Sequence, residues 1–592
     1  MKYSDQLAIW LSELGYTHCF FVAGGNIMHL LESCSHKFVC VPVVHEVAAG
    51  IAAEYFNEVS TTGRAFALVT AGPGLTNIVT ALAGAYLESR ELLVIGGQVK
   101  VSDLARGQVR QRGIQEIDGV SIARPVAVTS AIVDRTIDRA AFTGLAESGS
   151  HGRKGPVFLE IPLDIQGAKI GEPESDACSG CAPDRAFEAI PESVLKDIES
   201  RLRHAKRPVL LLGGGIDRAT SERVLDALAH AGIPVMVTWN GIDRVAEDYP
   251  LFFGRPNTWG QRAANILMQQ SDLLIALGTR LGLQQTGFNW QQFIPLGQVI
   301  QVECDRRELE KGHPRVDLPV CGDANQVLEF LSKKTDLPSY EEWVAFCRKV
   351  RSLISLNDPA NQTGEGFVSP YEFCLKLSCL CNGSDVVIPC SSGSANTVMM
   401  QSFCVTRGQR VFNDKGLASM GYGLSGAIGA AFAANGRRTI LVEGDGGFIQ
   451  NLQELGTVSV NRLNLKIFIF DDNGYASIRM TQKNYFGGKY IGCDTATGLG
   501  IPKWESMFAA YDIPLQTLGP GFDQEPAFLD ALNSPGPSAF LVKIDPQQTY
   551  FPKISSRVTA SGGMESNPLH LMSPDLDETT AGEVFRYLKG GQ

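Results

Sequence analysis

The sequence has 592 residues, which predicts three or four domains of about 100 to 200 residues and excludes a single small binding module. Lys and Arg number 52 against 63 Asp and Glu, so the formal net charge is −11, and without a basic run this argues against nucleic acid binding. With 44% hydrophobic and 19% charged residues, the composition is typical of a compact globular enzyme and excludes a disordered or fibrous chain.

The N-terminus and the cysteines indicate a cytoplasmic protein. Residues 1–5 lack the apolar segment of a secretory signal, and no run reaches the about 18 apolar residues that a membrane span needs. The 14 Cys are scattered, and we interpret them as reduced core thiols. Cys178 and Cys181 form a CxxC motif, but no second CxxC or paired His lies nearby, so a metal or redox role is not favoured.

Helical periodicity alternates with short apolar runs along the chain, which is typical of parallel sheets covered by helices. The first elements expected are a helix at 5–14 and a strand at 18–22, and the second unit opens with a strand at 207–212, a helix at 219–231 and a strand at 234–238. The predicted fold class is α/β, with three doubly wound parallel-sheet domains. The predicted divisions are a first domain at 1–170, a linker at 171–191, a central domain at 192–335, a linker at 336–369, a third domain at 370–548 and a C-terminal tail or lid at 549–592.

The most informative residues follow two apolar runs of the third unit. Run 439–443 leads into Gly444, Asp445, Gly446 and Gly447, and run 465–470 leads into Asp471, Asp472, Asn473 and Gly474. Each run predicts a buried parallel strand with polar groups at its carboxyl end, where α/β sheets bind ligands. Two carboxylates repel each other unless a cation lies between them, and oxygen ligands without His favour Mg²⁺ or Ca²⁺. Either run alone would be explained as an ordinary polar strand end, but together they favour a metal and phosphate site.

This pair of segments resembles the GDG…NN signature of thiamine diphosphate enzymes. The resemblance extends over most of the chain, through segments 21–25, 45–50, 70–77, 95–98, 114–116 and 416–429. The sequence is similar to the family of acetohydroxyacid synthase and pyruvate decarboxylase, and Gln98, Gln115 and Glu116 favour the synthase side. The resemblance implies a pyrimidine-binding first domain, a central nucleotide-binding-like domain and a diphosphate-binding third domain.

The resemblance also implies which residues hold thiamine diphosphate and Mg²⁺. It assigns the metal to Asp445, Asp472 and the backbone carbonyl of Gly474; the family has Asn at position 472, so Asn473 is the alternative ligand if the loop shifts by one residue. The cofactor contacts that it assigns are Gly25, Gly74, Ser394, Ala395, Ala418, Met420, Gly446, Gly447, Tyr475 and Ala476. Met420 is placed between the two rings, where it holds the cofactor bent.

Two residues of the first unit, Glu46 and Gln115, are assigned to catalysis. A carboxylate bonded to the pyrimidine ring stabilises the imino form that takes the thiazolium proton, and an acid in the apolar surroundings of Glu46 is costly to bury without such a partner. A structural ion pair is the alternative role for Glu46. In the family this glutamate and the diphosphate site come from different subunits, which implies a homodimer or homotetramer.

The central unit resembles the domain in which the synthases bind FAD. The matching positions are Gly213, Gly214, Gly215, Thr238, Gly278, Arg280, Glu303 and Asp323. The segment after the first strand lacks the last glycine of GxGxxG and is a weak dinucleotide motif by itself. Many relatives leave this domain empty or bind another nucleotide there, so FAD stays one of three alternatives.

Departures from the family pattern concern the second substrate. The arginine that receives the acceptor carboxylate is replaced by Gln284, and the tryptophan of the acceptor pocket by Thr481. Leu163 stands where the family has Lys, and Ile114 where it has Phe. Losing a cation and an aromatic wall favours an acceptor that is bulkier than a small 2-oxo acid.

The function expected is a carboligase that decarboxylates a 2-oxo acid, pyruvate above all, and transfers the acetyl unit to a carbonyl acceptor such as a nucleotide-linked ketosugar. The alternatives are acetolactate synthase proper, a non-oxidative 2-oxo acid decarboxylase, and a silent cofactor-binding protein. Glu46, Asp445, Asp472 and Met420 occur together, which argues against the silent protein.

Overall fold

Three parallel β-sheets, each packed between helices, make up most of the structure. The computed structural model describes residues 1–171, 187, 189–558 and 563–588, and within these residues the paired strands of the three large sheets are parallel. The predicted α/β class with three parallel-sheet units is confirmed. The CxxC cysteines and most of the predicted linker 171–191 lie outside the described residues.

The first sheet is built from short apolar strands. They are β1 (Tyr16–Phe21), β2 (Val39–Pro42), β3 (Arg64–Val69), β4 (Leu92–Gln98), β5 (Thr129–Ile132) and β6 (Pro156–Pro162), in the order β2-β1-β3-β4-β6-β5. The helices are α1 (Tyr3–Glu13), α2 (Met28–Ser35), α3 (Glu46–Val59), α4 (Pro73–Asn77), α5 (Val79–Glu88), α6 (Gly119–Ala123), α7 (Arg139–Ala146) and α8 (Leu163–Gln166). Both faces of β3 are buried, because Ala65 and Ala67 pack in one hydrophobic cluster while Phe66 and Leu68 pack in another.

The central sheet has five strands. They are β7 (Pro208–Leu212), β8 (Val235–Val237), β9 (Leu273–Leu277), β10 (Gln298–Glu303) and β11 (Leu318–Cys321), in the order β11-β10-β9-β7-β8. The helices are α9 (Glu192–His204), α10 (Arg218–Leu228), α11 (Arg262–Gln269), α12 (Leu283–Thr286), α13 (Arg306–Glu310), α14 (Ala324–Ser332) and α15 (Glu341–Leu353). Helix α15 lies within the segment 336–369 that we expected to be a linker, and its buried Trp343 donates an indole hydrogen bond to the Pro208 carbonyl at 3.0 Å.

The third sheet repeats the strand order of the first. Its strands are β12 (Val386–Ile388), β13 (Arg410–Val411), β14 (Thr439–Gly444), β15 (Leu465–Asp471), β16 (Leu515–Leu518) and β17 (Ser538–Lys543), in the order β13-β12-β14-β15-β17-β16. Its helices are α16 (Pro370–Leu380), α17 (Gly393–Ser402), α18 (Tyr422–Ala434), α19 (Asp445–Phe448), α20 (Leu455–Val460), α21 (Ala476–Tyr485), α22 (Trp504–Ala510) and α23 (Pro526–Asn533). All six strands are parallel, but β13 is added on one side of β12 and β14 on the other, so a topological switch point lies between β12 and β14. Open α/β sheets bind ligands at the carboxyl ends of the strands beside such a switch point.

Helices α3 and α18 join the first and third units through one hydrophobic cluster. Small residues allow this close contact, since a Cβ atom on Gly429 would lie 1.9 Å from the carbonyl oxygen of Ala52. At the same interface the buried Glu54 carboxylate accepts hydrogen bonds from Arg90, at 3.0 Å, and from the Tyr422 hydroxyl. The first and third units are therefore held together within one chain.

The C-terminal segment, predicted as a tail or lid, packs on the central unit. Its elements are β18 (Lys553–Ile554), β19 (Ser556–Val558), β20 (Met564–Ser566), β21 (Met572–Ser573) and α24 (Glu578–Val584). Leu569 and Val584 are buried in the same cluster as Trp343, and Gln270 donates to the Val584 carbonyl at 2.8 Å. No helix in the described part of the chain is long and apolar enough to cross a membrane.

Candidate active site

The carboxyl edge of the third sheet gathers the residues that the motifs singled out. Helix α19 begins directly after β14, and α17 and α21 follow β12 and β15 after short loops, so their free backbone N–H groups lie at this edge. Ser394 and Ala395 are in the first turn of α17, Gly446 and Gly447 in α19, and Tyr475 and Ala476 at the start of α21. A Cβ atom on Gly446 would lie 2.4 Å from the Tyr475 ring, so the two segments touch. An edge with several helix N-termini suits an anion such as a diphosphate.

Two buried carboxylates, Asp445 and Asp472, lie at the same edge. Asp445 accepts a hydrogen bond from the backbone N–H of Gly446 at 2.6 Å and from that of Gly474 at 2.9 Å. Burial and the charge of Asp472 raise the pKa of Asp445 well above its usual value. Burial also raises the pKa of Asp472 to about 7. A divalent cation between the two groups would remove this repulsion, so the pair fits a metal site.

The loop after β15 shows how the remaining predicted ligands are engaged. The Asn473 side chain accepts a hydrogen bond from Thr495 at 2.9 Å, whereas Asp472 is the neighbour whose charge acts on Asp445. The Gly474 carbonyl accepts from the Ala476 N–H at 3.1 Å and keeps a second lone pair. No group of three or more His, Cys, Asp and Glu side chains forms a metal centre in the described ranges, so a metal here would also need carbonyl or phosphate oxygens.

Arg479 lies beside the two carboxylates, and no role was predicted for it from the sequence. Its guanidinium is 3.0 Å from the Asp472 carboxylate and donates to the backbone carbonyls of Asp472, at 2.6 Å, and Asn473, at 2.9 Å. It lies in the first turn of α21 and is only 6% exposed. An Arg at this spacing after an acidic loop was the available signal. Asp472 therefore has a counter-charge that the neutral Asn of the family pattern would not need.

The segment before α18 holds Ala418 and Met420 in a fixed loop. Asp414 accepts hydrogen bonds from the N–H groups of Leu417, at 3.0 Å, and Ala418, at 3.3 Å. Ala418 has a φ of 57°, in the left-handed region, and the Met420 side chain is 38% exposed. The Ser391 hydroxyl donates to the carbonyl of Ser419, which ties this loop to the segment before α17.

Tyr550, in the segment predicted as a tail, is a second residue without a predicted role. It is 5% exposed, and within the described ranges its hydroxyl has no partner at hydrogen-bonding geometry. Burial and the charge of Asp472 raise its pKa, and Ser394 lies beside it. An unpartnered buried hydroxyl next to the α17 N-terminus is a ready donor for a phosphate oxygen. Only an aromatic residue soon after β17 could have indicated it.

Glu46 is the first residue of α3 and is 7% exposed. The Asn77 amide donates to its carboxylate at 2.9 Å. The preceding N–H groups of Val44 and His45 donate to the Glu454 carboxylate of the third unit, at 3.1 and 3.0 Å. Over the described part of the chain no hydrogen bond joins Glu46 to the residues predicted to bind the cofactor.

The other predicted residues of the first unit lie on its surface loops or in short helices. Gln115 is exposed and has a φ of 62°, and its carbonyl oxygen would lie 2.5 Å from a Cβ atom on Gly72. Gly25 is exposed at the start of a 3-10 turn, and Gly74 is buried in α4. The structure thus places these three residues in the first unit, and their roles stay predictions.

Comparisons with known proteins agree with this geometry. Family models match all three units: the N-terminal TPP binding domain of thiamine pyrophosphate enzymes at residues 1–122, the central domain at 195–331 and the C-terminal TPP binding domain at 391–542. The acetolactate synthase of Mycobacterium bovis is 30% identical over 503 residues, 82% of this chain and 78% of that protein. The acetolactate synthase isozyme 1 large subunit of Escherichia coli K12 is 28% identical over 544 residues, 90% of this chain and 92% of its own.

The chain belongs to the acetolactate synthase family of thiamine pyrophosphate enzymes. It is a thiamine pyrophosphate-dependent enzyme of a family that forms carbon–carbon bonds. The edge with its helix N-termini, the carboxylate pair and the buried Tyr550 hydroxyl all fit thiamine diphosphate with a divalent metal.

This family member also has a cavity of about 820 Å³ at the carboxyl ends of the central strands. Of the positions predicted for FAD, those that line it are Gly214, Gly215, Thr238, Gly278, Arg280, Glu303 and Asp323. Gly213 lies against the Gly278 carbonyl, which a Cβ atom would approach to 2.2 Å. Lys415 and Gly416 also line the cavity, so it lies beside the loop that carries Met420.

Proposed function

We propose that this enzyme is a thiamine diphosphate- and Mg²⁺-dependent carboligase that decarboxylates a 2-oxo acid, pyruvate above all, and adds the acyl unit to a carbonyl acceptor. The observation that carries the proposal is the buried pair Asp445 and Asp472 among helix N-termini at the switch point of the third sheet. This arrangement supplies metal ligands and phosphate donors in one place.

Each group at the edge then has a defined task. Asp445, Asp472 and the Gly474 carbonyl hold Mg²⁺, with Asn473 as the alternative ligand. The N-termini of α17 and α21 and the Tyr550 hydroxyl bind the diphosphate. Met420, held by its fixed loop, would contact the rings of the cofactor. When bound, thiamine diphosphate supplies the carbon nucleophile for the keto group.

Glu46 would hold a proton at the ring nitrogen of the aminopyrimidine. Its burial favours such a hydrogen-bonded partner over exposure to water. Since Glu46 makes no hydrogen bond to the carboxylate edge among the described residues of its own chain, we propose a homodimer or homotetramer in which it serves the site of a second copy.

The acceptor is the finer part of the proposal. Gln284 and Thr481 replace the cation and aromatic wall of the family pattern, which favours a bulky carbonyl acceptor such as a nucleotide-linked ketosugar. Acetolactate synthase proper is the second candidate, because the relatives carry that name over most of the chain length. We further propose the cytoplasm as location and FAD for the central cavity, with another nucleotide or no ligand as alternatives.

Turnover of pyruvate by purified protein with thiamine diphosphate and Mg²⁺ tests the proposal, with CO₂, acetaldehyde and acetolactate all measured. Glu46→Gln is the control and should reduce all CO₂ release at least about 100-fold. Slow CO₂ release with little acetolactate supports a different acceptor, and rapid acetolactate formation supports the second candidate. Acetaldehyde as main product would indicate a decarboxylase, and no CO₂ from any 2-oxo acid tested would refute the carboligase.

A further inference from the structure

The C-terminal segment brings a lysine next to the position where the family pattern loses its cation. Gln284 lies in α12, and its backbone carbonyl accepts a hydrogen bond from the Thr258 N–H at 3.0 Å. The Thr258 carbonyl in turn accepts from the Ile554 N–H at 2.9 Å. Lys553 precedes Ile554 in β18, so two backbone hydrogen bonds connect it to position 284.

The Lys553 ammonium group also reaches the second departure from the family pattern. Its Nζ atom is 3.4 Å from the sulfur of Met480, which precedes Thr481 in α21. It lies 5.6 Å from the centroid of the Trp259 ring and 5.5 Å from that of Phe551. The Lys553 ammonium group thus lies beside α21, at the residue before Thr481, while the backbone of the next residue, Ile554, is connected through Thr258 to α12.

Lys553 forms no ion pair with any residue that the structure describes. Its Nζ atom instead contacts one thioether and two aromatic rings. Burial lowers its pKa. A half-buried ammonium group held only by weak partners is costly, and an anion would be a far stronger one. Other lysines of the chain, such as Lys376, do form ion pairs.

We propose that Lys553 binds the anionic group of the acceptor and replaces, from the C-terminal segment, the cation lost at position 284. The acceptor is then an anionic carbonyl compound: either a 2-oxo acid, through its carboxylate, or a phosphate-bearing compound such as a nucleotide-linked sugar. This inference rests on the proposed carboligase function and narrows its acceptor.

Substitution kinetics test the assignment. Lys553→Met should raise the KM for the acceptor about 10- to 100-fold, the loss expected for a charge-assisted hydrogen bond, and change acceptor-free CO₂ release from pyruvate less than about twofold. Lys553→Arg keeps the charge and should keep most of the affinity. Lys349→Met is the matched control, because Lys349 pairs with Glu583 of the same C-terminal segment and lies far from α12 in sequence. An equal rise in the acceptor KM of Lys349→Met would show that the effect comes from weaker packing of the C-terminal segment on the central unit, and it would overturn the assignment.

A labelling experiment tests anion binding at Lys553 without depending on catalytic turnover. Acetic anhydride at neutral pH should acetylate Lys553, and quantitative mass spectrometry should show protection by the bound anion. Protection by 2-oxobutyrate identifies a carboxylate subsite, and protection by uridine diphosphate or inorganic phosphate identifies a phosphate subsite. No protection by any of these would overturn the inference, even if the enzyme releases CO₂. Protection without any CO₂ release would support the anion site while refuting the proposed reaction.

Discussion

Arg479 neutralises one of the two buried carboxylates, and Arg479→Gln should therefore destabilise the cofactor-free protein. Its guanidinium is 3.0 Å from Asp472, and both side chains are less than 10% exposed. Removing one partner of a buried pair costs about 3 to 5 kcal/mol. For a unit of about 150 to 250 residues, 1 kcal/mol shifts Tm by about 2 to 4 °C, so the lower figure gives a loss of about 6 to 12 °C.

The loss of Tm in Arg479→Gln should depend on bound cofactor and Mg²⁺ and on pH. Mg²⁺ with thiamine diphosphate places another cation beside Asp472, so we expect the loss of Tm to fall to less than half. The pKa of Asp472 is about 7 in the folded protein, against 3.8 for a free Asp, so at pH 6 the group is largely protonated and gains little from Arg479. The loss should therefore be larger at pH 8 than at pH 6.

Differential scanning calorimetry with and without cofactor and Mg²⁺ measures these differences. Arg479→Lys keeps the charge and should lose less. Arg139→Gln, in an exposed pair with Glu13, is the control and should cost under about 1 kcal/mol. An unchanged Tm of the cofactor-free Arg479→Gln protein, or a loss that cofactor and Mg²⁺ leave untouched, would refute the reasoning.

Two further predictions concern stability. Burial raises the pKa of Glu443 from 4.5 to about 8. Between these two pH values the group is protonated in the folded protein and ionised in the unfolded chain, so the free energy of unfolding falls as pH rises, by up to about 1.4 kcal/mol per pH unit. Glu443→Gln, which resembles the protonated acid, should flatten the Tm profile between pH 5 and 8, whereas parallel profiles would contradict this account. Gly429→Ala should cost about 1 to 3 kcal/mol, because its Cβ atom would overlap the Ala52 carbonyl, while Gly582→Ala, where the space is open, should be neutral. Thermal unfolding measures both, and equal stability of the two Ala variants would argue against the close contact of α3 and α18.

The third sheet was predictable because its signals are local. The runs at 439–443 and 465–470 are continuous and apolar and end in acids and glycines, and both are strands whose carboxyl ends lie at one edge. The contact made by the Asn473 side chain could not be predicted locally. Thr495, which engages Asn473, lies 22 residues further along the chain, and nothing in the intervening sequence indicates the contact.

The C-terminal segment shows where sequence patterns are insufficient. Its polar composition predicts a tail, yet it docks on the central unit through contacts that are hundreds of residues apart, such as Gln270 with Val584. Tyr550 is buried in a hydrophobic cluster with residues of the third unit, and the Lys553 ammonium group lies 3.4 Å from the Met480 sulfur; both contacts join residues far apart in the chain. Helix α15 was missed for a similar reason, since Trp343 is buried against Pro208, 135 residues away.

The central claim, that the carboxylate edge binds Mg²⁺ and thiamine diphosphate, is tested most directly by calorimetric titration of the cofactor in the presence and absence of Mg²⁺. Asp445→Asn should weaken Mg²⁺-dependent binding at least about 100-fold, or about 2.7 kcal/mol. Asp471→Asn is the matched control, because Asp471 pairs with Lys543 and lies 3.4 Å from the Trp504 indole nitrogen, and it should change affinity less than about threefold. Equal affinities of the wild-type and Asp445→Asn proteins would contradict the account.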